Sequence, residues 1–485
     1  MTVRELLGAG PQVEVAGLAN DHRLVGPGSL YFCVPGFTRD GHDFASDAVA
    51  RGAVALVVQR SLGSGVPEVR VDDVRAAMAV AAARFHGDPS AALKVIGITG
   101  TNGKTTTAFL IRSLLESAGI SCGLLGTVKA VVGGVERPMV RTTPESIDLQ
   151  AALAEMVHAG DTACAMEVSS HALELRRSDG VRFACAVFTN LSQDHLDFHP
   201  SMEDYFQAKR RLFAELAPSA RVINADDLYG RRLAAEFPEA ITFGFGPAAE
   251  FRATDVDIRL SGSRFTLRHR DSALPIACRL PGAFNVANVL AALAACVALG
   301  VRLEELVGGV EALSGVPGRF EPVDAGQDFA VVVDYAHTPD SLDNVLRAAR
   351  DLTRRRVITV FGCGGDRDRG KRPLMGAIAA RASDRAIVTS DNPRSEDPEA
   401  IVAAVIAGAP DGELEAVLDR REAIRRAIDA AGPGDVVVIA GKGHERGQEF
   451  ADGRREPFDD VEVAREALRE QRLTAAARLP AGPPA

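Results

Sequence analysis

Residues 93–119 read LKVIGITGTNGKTTTAFLIRSLLESAG. The apolar run Val95–Ile98 predicts a buried strand, and Phe109, Leu110, Leu114 and Leu115 recur at helical spacing beyond a glycine-punctuated turn. Strand, glycine turn, then Lys-Thr at a helix N-terminus is a device for holding nucleotide phosphates. Free backbone N–H groups and the helix dipole face the anion, Lys104 adds a point charge, and a hydroxyl can meet Mg²⁺. The loop Gly100-Thr101-Asn102-Gly103-Lys104-Thr105-Thr106 is a variant form. The common P-loop has glycine five positions before Gly103, where this chain has Ile98.

Around this stretch the chain runs to 485 residues, too long for one core and suited to roughly three domains. A net charge of −10 argues against a general nucleic-acid or anionic-membrane partner, so anionic substrates must be drawn in by local basic residues. The seven cysteines form no CxxC pair and most sit in apolar runs, which predicts buried, reduced thiols. There is no signal-like N-terminus and no uncharged run of 18 or more apolar residues, so we expect a soluble cytoplasmic protein.

Residues 1–92 read as a small α/β unit, with strands near Leu30–Val34, Val54–Val58 and Glu68–Val71 and a helix over Asp43–Arg51. Residues 93–317 alternate strands and helices, which predicts a largely parallel sheet. Residues 318–485 restart the pattern with strands at Ala330–Val333, Val357–Phe361, Ala386–Val388 and Val436–Ile439, a doubly wound, Rossmann-like domain. The Ala/Pro-rich tail after about Leu473 is expected to be disordered.

Several groups stand where open α/β sheets place ligands, just past strand ends. Glu167 stands near the end of the run Thr162–Val168, and His195 follows Cys185–Phe188; a carboxylate and an imidazole near a phosphate loop can ligate Mg²⁺, or simply cap a helix and close a turn. Lys209, in the helical Tyr205–Leu216, reads by itself as a surface lysine. Asn285 and Asn288 open a small-residue helix, where locally they read as caps. Three corners, Phe361–Arg372, Ser390–Pro398 and Ala440–Glu445, should converge on one sheet edge. Their mix of Arg367, Arg394, Asp391, Asn392 and Glu445 suits a zwitterion.

Together GTNGKTT, MEVSSHAL, TNLSQDHLDFH, the Lys209 helix, FNVANVLAA, GRFE, DYAHTPDSL and FGCGGDRDRGKRPLM resemble the Mur ligases, in order and over nearly the whole chain. DNPR at 391–394 resembles the signature of the branch that adds meso-diaminopimelate rather than lysine. The resemblance implies an N-terminal uridine-nucleotide domain, a central ATPase domain and a C-terminal amino-acid domain. It implies that ATP activates a muramoyl-dipeptide carboxylate as an acyl phosphate, which the diaminopimelate amine then attacks, in cytoplasmic peptidoglycan precursor synthesis. Lys104, Glu167, His195 and Lys209 would be catalytic. Two Mg²⁺ ions would be held by Thr105, Glu167, His195 and Lys209, the last as N6-carboxylysine. The loop Gly100–Thr106 with Asn288, Arg319 and Asp334 would bind ATP; His22, Thr142, Thr143, Ser169 and Arg177 would bind the UDP-MurNAc-dipeptide. Arg367, Asp391, Asn392, Pro393, Arg394, Gly441 and Glu445 would bind diaminopimelate. We expect a monomer whose partners are these small molecules. Two departures stand out: Asp21-His22-Arg23 where the family usually has Asp-Ser-Arg, and Leu175 where some members carry a polar residue. The rivals are the lysine-adding homologue, another ligase of the superfamily such as the D-Ala-D-Ala-adding Mur ligase or folylpolyglutamate synthase, and a P-loop switch, which would need none of Glu167, His195 and Lys209.

Overall fold

The computed structural model describes residues 1–478. It is a three-domain α/β architecture built on three main sheets. The first carries four parallel strands between Gly17 and Arg70, and the predicted helix over Asp43–Arg51 forms as a 3₁₀ turn, Gly41–Phe44, running into Ala45–Ala50.

The second sheet has eleven strands. Its parallel centre is β1 (Lys94–Thr99), β2 (Cys122–Leu125), β3 (Ala163–Glu167), β4 (Phe183–Phe188), β5 (Ala220–Asn224) and β6 (Ile241–Gly244), ordered β6-β5-β4-β1-β3-β2. Beyond β6 the strand Phe251–Arg259 pairs parallel and then leads into antiparallel neighbours, and antiparallel strands extend the β2 end directly, so the sheet is mixed at its margins. Helices cover both faces of the centre, which is why Val95, Ile96 and Ile98 are all fully buried and the run reads as continuously apolar. Helix α1 (Lys104–Ser117) packs Leu110, Ile111, Leu114 and Leu115 onto one face and against α4 (Ala283–Ala298), whose small residues allow close approach. Between them in sequence lie α2 (Ser170–Glu174) and α3 (Met202–Ala214).

The third sheet orders β7 (Ala330–Asp334), β8 (Val357–Phe361), β9 (Arg385–Val388), β10 (Leu414–Ala416) and β11 (Val436–Ala440) as β7-β11-β8-β9-β10, all parallel, with Glu321–Pro322 antiparallel at one edge. Helix α5 (Pro339–Asp351) follows β7 and opens with a capping box between Thr338 and Ser341. The final helix runs on from Asp460 to Arg478, past Leu473 where disorder was expected; residues 479–485 lie outside the described residues. All seven cysteines are free and buried. Among the described residues no helix is long and apolar enough to cross a membrane.

Candidate active site

Register brings the predicted chemistry to one edge of the central sheet. Ile98 pairs with Glu167 and Thr99 with Phe188, so the chain leaves β1, β3 and β4 side by side. Two loop glycines are fixed by close approach at positive φ. A Cβ on Gly100 would stand 1.9 Å from Thr189 Oγ1, and one on Gly103 would stand 2.4 Å from Asn288 Oδ1. Lys104 folds back over this loop, its Nζ donating to the carbonyls of Gly100 (2.9 Å) and Thr101 (2.7 Å). Burial pushes its amine below lysine's ordinary range, against the pull of Glu167 and Asp194.

Lys209 is not a surface lysine. It is 1% exposed, its Nζ donates to Gly100 O at 2.9 Å, and it lies 4.6 Å from the Tyr205 ring centroid. Burial, and then the neighbouring Lys104, push its pKa well below the usual value, which favours the neutral amine. Glu167 is also buried; its Oε1 accepts from Thr127 N (2.8 Å) and its Oε2 from Thr127 Oγ1 (3.0 Å). His195 sits at φ 54°, its Nε2 3.3 Å from Asp194 Oδ2 and its ring edge-on to His171 at 4.8 Å. Burial drives this imidazole down in spite of Asp194, so it is held neutral with a lone pair to offer.

The C-terminal domain reaches the same place. Arg319 Nη2 donates to Thr105 Oγ1 at 3.1 Å while its guanidinium lies over Tyr335. Asp334 accepts from the backbone N–H groups of Phe320 and Ala336, each at 2.7 Å. Burial pushes its carboxyl up to about 6, with Arg319 opposing. Neither asparagine of α4 caps the helix, whose N-cap is Gly282. Asn285 Nδ2 donates to Pro281 O, and Asn288, tied to Asn285 Oδ1, faces the Gly100–Thr106 loop at Gly103.

On the other flank Thr143 Oγ1 donates to Glu167 O at 2.9 Å and accepts from Ser169 N; Ser169 Oγ in turn caps α2, and Thr142 hydrogen-bonds Thr127. Arg177 ion-pairs with Glu145 at 2.9 Å, and Arg141 (3.0 Å) and Arg75 (3.5 Å) crowd the same carboxylate. Three guanidiniums thus converge on one buried acid, with Asp148 close by.

One cavity of about 790 Å³ takes in the loop from Thr101 to Thr106 together with Thr142, Thr143, Glu167, Ser169, Arg177, His195, Lys209, Asn288, Arg319 and Asp334. Of the residues expected at diaminopimelate, Arg367 and Glu445 line it, whereas Asp391, Asn392, Pro393, Arg394 and Gly441 stand behind that wall. Gly100 contributes its carbonyl from below the surface. His22 is elsewhere, stacked on Phe44 at 4.4 Å in the N-terminal domain.

Behind the wall the three corners do share one edge, because Asp334 pairs with Ala440, Val360 with Ile439, and Phe361 with Val388. Arg394 is held at φ 51° by Glu449 Oε2 (3.0 Å) and Gly365 O (2.7 Å). A Cβ on Gly441 would stand 2.5 Å from Asp391 Oδ2. Sequence reasoning missed Lys442. It is fully buried, donating to Asn392 Oδ1 (2.8 Å) and Glu445 Oε2 (3.1 Å) with Asp391 at 3.6 Å, so it neutralises the acids of this corner. Its place inside AGKGHE, between two glycines at a strand end, was the available signal.

A glycine loop of phosphate-binding form, a buried amine and imidazole, and an arginine reaching across from a second domain are arranged as an ATP-dependent ligase would need them. Three family models match in sequence order: the Mur ligase family catalytic domain over residues 14–86, the Mur ligase middle domain over 98–296, and the Mur ligase glutamate ligase domain over 318–443. The chain belongs to the Mur ligase family. It is 48% identical over 476 residues to the UDP-N-acetylmuramoyl-L-alanyl-D-glutamate–2,6-diaminopimelate ligase of Geobacillus thermodenitrificans, covering 96% of both chains. It is 49% identical to the protein of the same name from Solibacter usitatus, covering 94% of both. A solved structure of a ligase of that name matches with a TM-score of 0.71 at 36% identity, over 97% of this chain and all of the other.

Proposed function

We propose that the chain joins meso-2,6-diaminopimelate to UDP-MurNAc-L-Ala-D-Glu at the expense of ATP. The observation that carries this is the single cavity shared by the ATP loop, Glu167, Lys209, Arg177 and the two C-terminal residues Arg367 and Glu445. Full-length similarity to ligases of that name supports it. In this reading a D-Glu carboxylate oxygen attacks the γ-phosphorus and ADP leaves. The amine nitrogen then attacks the acyl carbon, the C–O bond to phosphate breaks, and the nitrogen gives up a proton.

Lys104 and Arg319 supply positive charge to the phosphates, Asn288 and Asp334 the adenine and ribose contacts. Arg177, with its companions Arg75 and Arg141, meets the anionic dipeptide alongside Thr142, Thr143 and Ser169; His22 serves the uridine end. Arg394 would meet the second carboxylate of diaminopimelate. Lysine lacks that group and would forgo a charge-assisted contact with this guanidinium, which Glu449 pairs on one side only. We assign nucleotide-sugar binding to residues 1–92, ATP to 93–317 and the amino acid to 318–485, in a cytoplasmic monomer with no nucleic-acid or membrane partner.

Among the described residues no group of three or more His, Cys, Asp or Glu side chains forms a ready-made metal site. Thr105, Glu167 and His195 offer a hydroxyl, a carboxylate and a neutral imidazole, and a free amine at Lys209 is the wrong fourth donor for Mg²⁺. The donors fit two Mg²⁺ ions once Lys209 carries CO₂ as a carbamate, a reaction that needs the neutral amine its burial favours. Mg²⁺ held there supplies positive charge against crowded phosphate and carboxylate oxygens.

The test is phosphate release from ATP with UDP-MurNAc-L-Ala-D-Glu and either meso-diaminopimelate, L-lysine or no amino acid. Release only with diaminopimelate is expected. Release with lysine alone would retain the ligase and overturn the role of Arg394. Release that ignores the muramoyl dipeptide would overturn the whole reading.

A further inference from the structure

Asp340 belongs to the DYAHTPDSL motif, yet it neither lines the cavity nor has a role in the chemistry above. Its Oδ2 accepts three hydrogen bonds: from Asn102 Nδ2 at 2.8 Å, from Ser192 Oγ at 2.9 Å, and from Asn344 Nδ2, one turn along α5, at 3.2 Å. The first two donors belong to the central domain. Asn102 is in the ATP loop, and Ser192 lies on the stretch that leads from β4 to His195. These two segments are already cross-tied, since Ser192 N donates to Thr101 Oγ1 (3.0 Å) and Asn190 Oδ1 accepts from Asn102 N (2.9 Å). The helix end that presents Asp340 is itself rigid, with Pro339 in its first turn and the Thr338–Ser341 capping box. An acid in a first helical turn is commonly explained by the helix dipole. That role requires no contact with another domain, and here one carboxylate oxygen gathers two.

We propose that Asp340 is a positioning residue that sets the C-terminal domain in register with the ATP loop, so that Arg319 and Asp334 face the nucleotide bound there. The inference rests on the reading that this cavity binds ATP, and on nothing about the acceptor or the amino acid. Without the carboxylate the two domains still carry their separate halves of the nucleotide site. The fraction of molecules with both halves aligned falls, and apparent nucleotide affinity falls by that fraction.

The experiment measures binding of a non-hydrolysable ATP analogue by calorimetry, and the radius of gyration of the nucleotide-bound full chain by X-ray scattering. Asp340→Ala is expected to weaken the analogue about tenfold, the scale of one charge-assisted hydrogen bond, and to enlarge the bound molecule. Because a single oxygen takes all three bonds, the amide of Asp340→Asn can replace it and is expected to stay within about threefold of the parent. Ser192→Ala, which leaves α5 untouched, is expected to weaken binding about threefold, and adding it to Asp340→Ala should bring little further loss. Analogue affinity in Asp340→Ala within about twofold of the parent, with only a lowered melting temperature, would overturn the proposal. So would effects of the two substitutions that simply multiply. Should Asp340→Ala fail to fold, an unchanged affinity in Ser192→Ala overturns it equally. Absence of any analogue binding by the parent chain would instead strike at the ATP reading.

Discussion

Burial against Gly100 O, and then the neighbouring Lys104, shift the Lys209 amine toward its uncharged form. For Lys209 this predicts a carbamate carbon resonance when the protein is equilibrated with ¹³CO₂, absent in Lys209→Ala. Activity of that variant should drop by about 100-fold or more, and Lys209→Arg, which keeps a cation, should not restore it. Lys442 works differently, as a buried counter-charge. Lys442→Met removes the hydrogen-bonded cation from Asn392 and Glu445 and leaves Asp391 to the more distant Arg420, so the KM for the amino acid should rise about tenfold while that for ATP holds. Steady-state kinetics with each substrate varied in turn separates the two. Lys209 was also legible in part: Tyr205, Lys209, Leu212 and Phe213 fall at the core positions of one amphipathic helix, so a charge there was out of place for a surface. Its partner Gly100 O was not legible, because a backbone carbonyl more than a hundred residues away leaves no trace in the side-chain pattern.

Elements that present the site are tied down by ion pairs that no local pattern announces. Arg420 and Asp460 are both fully buried, paired at 2.7 Å, and Arg420 also donates to Ala440 O at the end of β11. The pair anchors the last helix to the strand that delivers Gly441. Asp460→Ala strands a buried guanidinium, and denaturant unfolding should report a loss of about 3–5 kcal/mol. The strands of β1, β3, β7, β8, β9 and β11 were plain in the sequence because runs buried on both faces are continuously apolar. The order of those strands was not, since parallel neighbours come from distant segments joined through helices.

At the scale of the molecule, acid weakens the fold through carboxylates whose native partners hold them ionised. Glu68 is held at about 2 by the backbone N–H groups of Leu62 and Ser64, and Glu396 at about 2 by Arg372. Both lie below the unfolded value of 4.5, so their stabilisation is complete above that pH and is lost as pH falls toward 2. Melting temperature should therefore decline across this window, and Glu396→Gln should flatten the decline; an unchanged slope would remove Glu396 from the account. Three α/β blocks could be read from composition and periodicity, but not how they meet: Asn102 and Asp340 stand 238 residues apart and touch only because two domains do. One last property follows from the seven buried cysteines, whose thiols burial pushes up, to about 12 at Cys33, Cys185 and Cys363. The native chain offers no reactive sulfur to a maleimide dye. Leu228→Cys and Leu374→Cys, on exposed positions of the central and C-terminal domains, would thus give two clean attachment points without deleting any native cysteine. The distance between their fluorophores could then be followed, one molecule at a time, as nucleotide comes and goes.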